Sequence, residues 1–70
     1  MKRENIKSTI IRSVGYDEQK EMLEVEFNGG ALYEYDKVPR KEYDEMMKAP
    51  SKGVYFNSHI REAFPHKKES

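Results

Sequence analysis

Seventy residues with no cysteine and a formal net charge of zero allow one small domain and exclude disulfides and thiolate metal sites. They also remove the overall positive charge that general nucleic-acid binders carry. No apolar run follows the basic residues of MKRENIKSTI, and no stretch is long enough to span a bilayer, so a cytoplasmic protein without membrane contact is expected.

The charges are not evenly spread. Residues 17–36 hold seven acids and one base, net −6, while residues 1–16 and 37–70 are each net +3. An anionic partner is therefore expected to avoid whatever surface the centre builds.

Residues 1–7 are polar and read as a flexible N-terminus. STIIRSVGYD (8–17) is rich in β-branched residues and ends in a turn-forming Asp, which predicts a strand. Its apolar residues do not alternate cleanly. A bulge near Arg12–Ser13 places Ile11, Val14 and Tyr16 on one face. In EMLEVEFN (21–28), Leu23, Val25 and Phe27 alternate with Glu24 and Glu26, the pattern of a half-buried strand.

Asn28-Gly29-Gly30 then signals a hairpin. A two-residue loop would set Val25 opposite Glu34 and bring a charge among apolar groups. A three-residue loop sets Val25 opposite Tyr33 and Leu23 opposite Tyr35, with Gly30 in the left-handed region. The second register is expected, and it places both tyrosines on the core face. Its cost is Glu24 directly opposite Glu34, a like-charge pair that a base such as Arg12 is expected to relieve.

Pro39 suits the first position of a helix, whose apolar stripe is Tyr43, Met46 and Met47. Pro50 ends that helix at Ala49. Ser51 is the expected N-cap of a second helix, in which Phe56, Ile60 and Phe64 recur every four residues, with Gly53 and Ala63 on the same side and Pro65 as the stop. Residues 65–70 read as a flexible tail. The expected fold class is α+β: a three-stranded antiparallel sheet followed by two helices packed on one face, a single domain over 8–64.

Three segments, SVGYD, LEVEFNGGALYEYDKVP and APSKGVYFNSHIRE, in this order resemble the KTSC domain. That family is a short bacterial and phage module also found at the C-terminus of some lysyl-tRNA synthetases. Its central Tyr-x-Tyr is matched by Tyr33 and Tyr35. Its second hallmark is matched by Ala49, Ser51, Gly53, Tyr55, Phe56, Asn57, Ile60 and Arg61. The likeness spans roughly residues 8–64 and departs from the family at Phe64-Pro65. The family brings no activity to carry over, but attachment to a tRNA synthetase implies RNA as a partner.

A catalytic site would need a nucleophile, an oriented base and an oxyanion hole. Only Ser51 with His59 comes near this, and a cap and an edge residue are the plainer roles. Glu24, Glu26 and Glu34 lie along a strand face that spreads oxygen ligands apart, so no metal is expected. No enzyme and no cofactor are expected.

The strongest binding candidate is APSKGVYFN. Ser51, Lys52 and Gly53 open a helix, where free N–H groups and nearby Lys48 and Arg61 would suit phosphate. The plain alternative is a capped helix docked by its glycine. Asn57 and Arg61, four apart, share one surface and serve either a partner or a neighbouring loop.

Two functions follow. One is RNA or other nucleic-acid binding through Lys48, Ser51, Lys52, Gly53, Tyr55, Asn57 and Arg61, with Arg40 and Lys41 nearby. The other is a protein-interaction or homo-oligomerisation module using an edge strand.

Overall fold

The alternation of Leu23, Val25 and Phe27 builds the central strand of a computed structural model that describes residues 3–69; residues 1, 2 and 70 lie outside the described part. The chain runs β1 (Arg3–Asn5), β2 (Ile11–Asp17), β3 (Met22–Phe27), β4 (Leu32–Tyr35), α1 (Arg40–Lys48), α2 (Lys52–Tyr55) and β5 (His66–Lys68). A π turn over Phe56–Ile60 continues α2. The strands form one antiparallel sheet in the order β1-β2-β3-β4-β5.

The α+β class and the two helices are as the sequence predicts, but the sheet has five strands rather than three. The extra strands come from segments with no apolar residue facing inward: Arg3–Asn5 and His66–Lys68 are exposed throughout. Backbone pairing holds them. Asp36 N donates to Pro65 O (2.8 Å) and Glu69 N to Leu32 O (2.6 Å), on either side of the β4–β5 pairs. A strand held by its ladder and by ion pairs has no period-two hydrophobic pattern to betray it.

The hairpin has the expected three-residue loop. Leu23 faces Tyr35, Val25 faces Tyr33, and Glu24 faces Glu34. Gly30 sits at φ +96°, where a β-carbon would be strained. The β2 bulge also falls where expected, between Ile11 and Ser13. It puts Ile11 and Val14 into the core with Leu23, Val25, Tyr35, Val38, Met46, Phe56 and Ile60.

The outer face collects the acids. Glu24 and Glu34 are kept apart electrically by bases from the two edge strands: Arg3 reaches Glu24 (3.0 Å) and Glu26 (3.6 Å), and Lys67 reaches Glu34 (3.8 Å). Arg12, the base expected to relieve this pair, stands instead at Glu26 (4.0 Å), which also accepts from Ser13 Oγ (2.9 Å). Glu34 also shares a hydrogen bond with the Glu69 carboxyl, which, followed by desolvation, raises its pKa above the usual range.

The helices depart from expectation in two places. Pro39 is the N-cap of α1, one position before the helix proper, at φ −67° and ψ 152°. The second helix does not run to Phe64. It widens at Phe56–Ile60, with Arg61 N donating to Phe56 O (2.9 Å), and then turns. Phe56 and Ile60 are buried, but Ala63 is exposed and Phe64 only half-buried. The reason lies beyond the turn: the bond from Asp36 N to Pro65 O draws the chain back to the sheet edge.

Candidate functional site

The register that sends Tyr33 and Tyr35 toward the helices also sets what stands beside them. Tyr35 lies opposite His66 and Tyr33 opposite Lys68. Opposed residues on an antiparallel pair share a face, so β5 adds an imidazole and an ammonium to the tyrosine side and turns Lys67 outward. Facing this edge, the π turn and the turn after it present Asn57, Arg61 and Glu62. Between them lies a cleft of about 630 Å³, lined by Ile10, Phe27, Tyr33, Tyr35, Asn57, Arg61, Glu62 and His66. π turns occur often at functional sites.

The rings are arranged at angles. Phe27 stands edge-on to Tyr33 (5.6 Å between centroids, 83°), and Tyr35 edge-on to Phe56 (5.2 Å, 88°). The His66 ring lies 4.8 Å from Tyr35 and 6.0 Å from Tyr33. Tyr35 is 2 % exposed and Tyr33 half-buried, so the first is core and the second is core edge. The reading of both as core pieces holds for Tyr35 and holds only in part for Tyr33.

The hydroxyls differ in a way that matters. Tyr16 donates to Val38 O (2.6 Å) and Tyr55 to Glu42 Oε1 (3.0 Å). Among the described residues, Tyr33 and Tyr35 have no such protein partner, and no polar side-chain atom is both buried and unpaired. Each hydroxyl therefore keeps some contact with solvent, and both tyrosines line the cleft.

Burial pushes the Tyr35 phenol up. The Arg61 charge partly offsets that rise and Tyr33 adds to it. Burial is likewise the leading cause for Tyr16, Tyr43 and Tyr55, each raised above the ordinary phenol value. At neutral pH all four are donors. A phenol with a raised pKa contributes stability that is intact below its unfolded value of about 10 and is lost as pH rises through the folded value. A spectrophotometric titration should thus show stability in urea declining only above about pH 10, with these tyrosinates appearing together with loss of the far-ultraviolet helix signal. Their ionisation at the ordinary value with the fold intact would contradict that assignment.

The residues expected to bind divide into two groups. Asn57 and Arg61 are exposed and meet at the cleft. The others do not line it. Ser51 is the cap it was expected to be, its Oγ accepting from Val54 N (3.3 Å). Gly53 is buried, and a β-carbon there would stand 3.0 Å from Ser8 Oγ and 3.2 Å from Ile10 Cδ1. Its missing side chain serves close packing and leaves no approach for an anion. Tyr55 is half-buried, with one ring face against His59 (4.3 Å, 29°). Lys48 is exposed and Lys52 half-buried on the helical side. Arg40 is paired with Glu18 and, at 3.1 Å, with Asp44, while Lys41 is exposed.

His66, Lys68 and Phe27 were missed as site residues. His66 and Lys68 sit in a stretch with no apolar signal. Phe27 shares the apolar face of β3 with Leu23 and Val25, but its place beside the hairpin loop leaves it half-buried at the cleft.

A second hollow of about 240 Å³ is lined by Glu4, Tyr16, Glu18, Arg40 and Tyr43. It is occupied from within: Tyr16 and Tyr43 stack on each other (4.9 Å, 13°) and Arg40 is held by its two carboxylates. Among the described residues, no group of three or more His, Asp or Glu is placed to hold a metal ion. No helix there is long and apolar enough to cross a membrane.

The model of the KTSC domain matches residues 7–64. A crystal structure of a KTSC domain protein from Yersinia pestis superposes with a TM-score of 0.92 at 36% identity, covering 99% of this chain and 97% of that one. An uncharacterised protein of Stutzerimonas stutzeri is 46% identical over 57 residues, 81% of this chain and 80% of its own length. A lysine–tRNA ligase of Nostoc punctiforme is 38% identical over 56 residues, which are 80% of this chain but 10% of the ligase.

Proposed function

The chain belongs to the KTSC domain family, and from that premise we propose that it is a small non-catalytic module that binds single-stranded RNA across its cleft and basic helical side. The observation that carries this reading is the meeting of Tyr33, Tyr35, Asn57 and Arg61 around one opening. Rings and a guanidinium along a groove are how sequence-tolerant single-strand binders hold bases and phosphates. Two further points support it. The outer-face bases Arg3, Arg12 and Lys67 are spent on carboxylates, whereas among the described residues Lys48, Lys52, Arg61 and Lys68 take part in no ion pair. The domain also occurs within ligases whose name includes tRNA.

The alternative, a protein-interaction or homo-oligomerisation module, is less well served. Both sheet edges are three-residue strands carrying Arg3, Glu4, Lys67 and Lys68. Short charged edges discourage further strand pairing.

With a net charge of zero the affinity is weak and salt-sensitive. Three phosphate contacts on a single strand give a slope of about −2 in log K against log salt. Fluorescence anisotropy with a labelled mixed-sequence RNA should show binding at about 50 mM salt that is largely lost by about 200 mM. No complex at low salt, or a salt-independent one, would refute the reading.

A further inference from the structure

The cleft has a chemistry more specific than a basic surface. Its lining is donor-rich: Arg61, Asn57, half-buried Tyr33 and nearly buried Tyr35 all border it, with Glu62 the one acid among them. Its volume, about 630 Å³, falls within the roughly 300–1,000 Å³ of small-ligand sites. Tyr33 is also unlike the other half-buried tyrosines here. Tyr16 has Tyr43 stacked on it and Tyr55 has His59. Tyr33 meets its neighbours only at 83°, 32° and 52°, so no protein ring lies parallel on it.

A ring without a parallel partner, free phenol donors, an unpaired guanidinium and a neighbouring ammonium at Lys68 suit a ligand that is planar, rich in acceptors and anionic. We propose that this cleft seats one unstacked nucleotide, its base against Tyr33 and His66 and its phosphate at Arg61. Asn57 offers both a donor and an acceptor to the base edge. Glu62 accepts from an exocyclic amino group, and so favours adenine, guanine or cytosine over uracil. This inference rests on the RNA-binding reading and narrows it: the groove runs past a pocket for a single splayed-out base, the way single-stranded RNA is commonly read.

The test is an amide-resolved NMR titration of the intact chain with AMP, ribose 5-phosphate, inorganic phosphate and, separately, a mixed-sequence single-stranded RNA. AMP should shift the amides of Tyr33, Tyr35, Asn57, Arg61 and His66, and ribose 5-phosphate and phosphate should bind more weakly. Tyr33→Leu should weaken AMP by about tenfold, the loss expected for one stacked base, while leaving ribose 5-phosphate unchanged. Arg61→Gln, at an exposed position that does not threaten the fold, should weaken both. If phosphate or ribose 5-phosphate binds as well as AMP, the cleft reads no base and the inference is overturned. If RNA binds while AMP leaves the cleft amides still, the nucleotide seat is wrong and the RNA module stands. Silence from both RNA and AMP overturns both.

Discussion

Replacing Phe56 by alanine is expected to leave little of the domain folded. Phe56 is fully buried and meets Phe27 (5.5 Å, 66°) and Tyr35 (5.2 Å, 88°) edge-on. It is the largest of the fully buried side chains and joins the helical layer to the hairpin. Truncating a buried Phe costs about 3–5 kcal/mol in transfer and cavity terms. A domain of this size has only ~3–5 kcal/mol to lose. Urea denaturation followed by circular dichroism should therefore show Phe56→Ala largely unfolded before denaturant is added. A midpoint close to that of the unmodified protein would mean the core lies elsewhere. The same variant should abolish the cleft, because Tyr35 and Phe27 both lean on this ring.

Gly53→Val is expected to have the second largest effect, for the opposite reason. Here the fault is excess volume. The position of a β-carbon is already 3.0 Å from Ser8 Oγ and 3.2–3.3 Å from the Ile10 side chain. Ser8 cannot easily withdraw, since its Oγ accepts from Ile10 N (3.1 Å) and Ile11 N (3.4 Å) and so shapes the entry to β2. Branched bulk must push the start of α2 away from this loop, and overpacking of this kind costs about 1–3 kcal/mol. Thermal unfolding should show the loss. Amide shifts should concentrate at residues 8–10 and 52–56. A variant as stable as the parent would show that the helix start has room, and the close packing assigned to Gly53 would be wrong.

These two effects separate what holds the cleft from what lines it. Phe56, Ile60 and Gly53 set the helix against the sheet. Asn57, Arg61 and His66 project from that frame and are exposed, so changes there should alter binding with little loss of stability. Tyr35 belongs to both groups: it is core, and it also lines the cleft.

Much of this frame was readable from the chain. The alternation in β3 and the Asn28-Gly29-Gly30 loop set the register without ambiguity, because a slip by one residue would have buried Glu34. The bulge at Arg12 and the Ser51 cap were readable for similar local reasons. That Asn57 and Arg61 share one surface was readable from their spacing on the helix, and both line the cleft. Val38 was not. It is fully buried in a linker with no periodicity, held there by Tyr16 Oη donating to its carbonyl and by its own N–H donating to Glu21 O (2.8 Å).

The sequence by itself determined the local structure: three central strands, two helix starts, the tight hairpin and the face to which the tyrosines point. Each of these follows from residues within a few positions of one another, whose side-chain period or backbone preference acts before any distant contact forms. Only the tertiary structure decided that the polar ends add two more strands, that Lys67 and Arg3 neutralise the glutamate row, and that His66 comes to lie beside Tyr35. Those outcomes come from backbone hydrogen bonds and charge pairs between segments remote in the chain. Such interactions impose no pattern on the residues that make them, and so they become visible only once the core has brought the ends together.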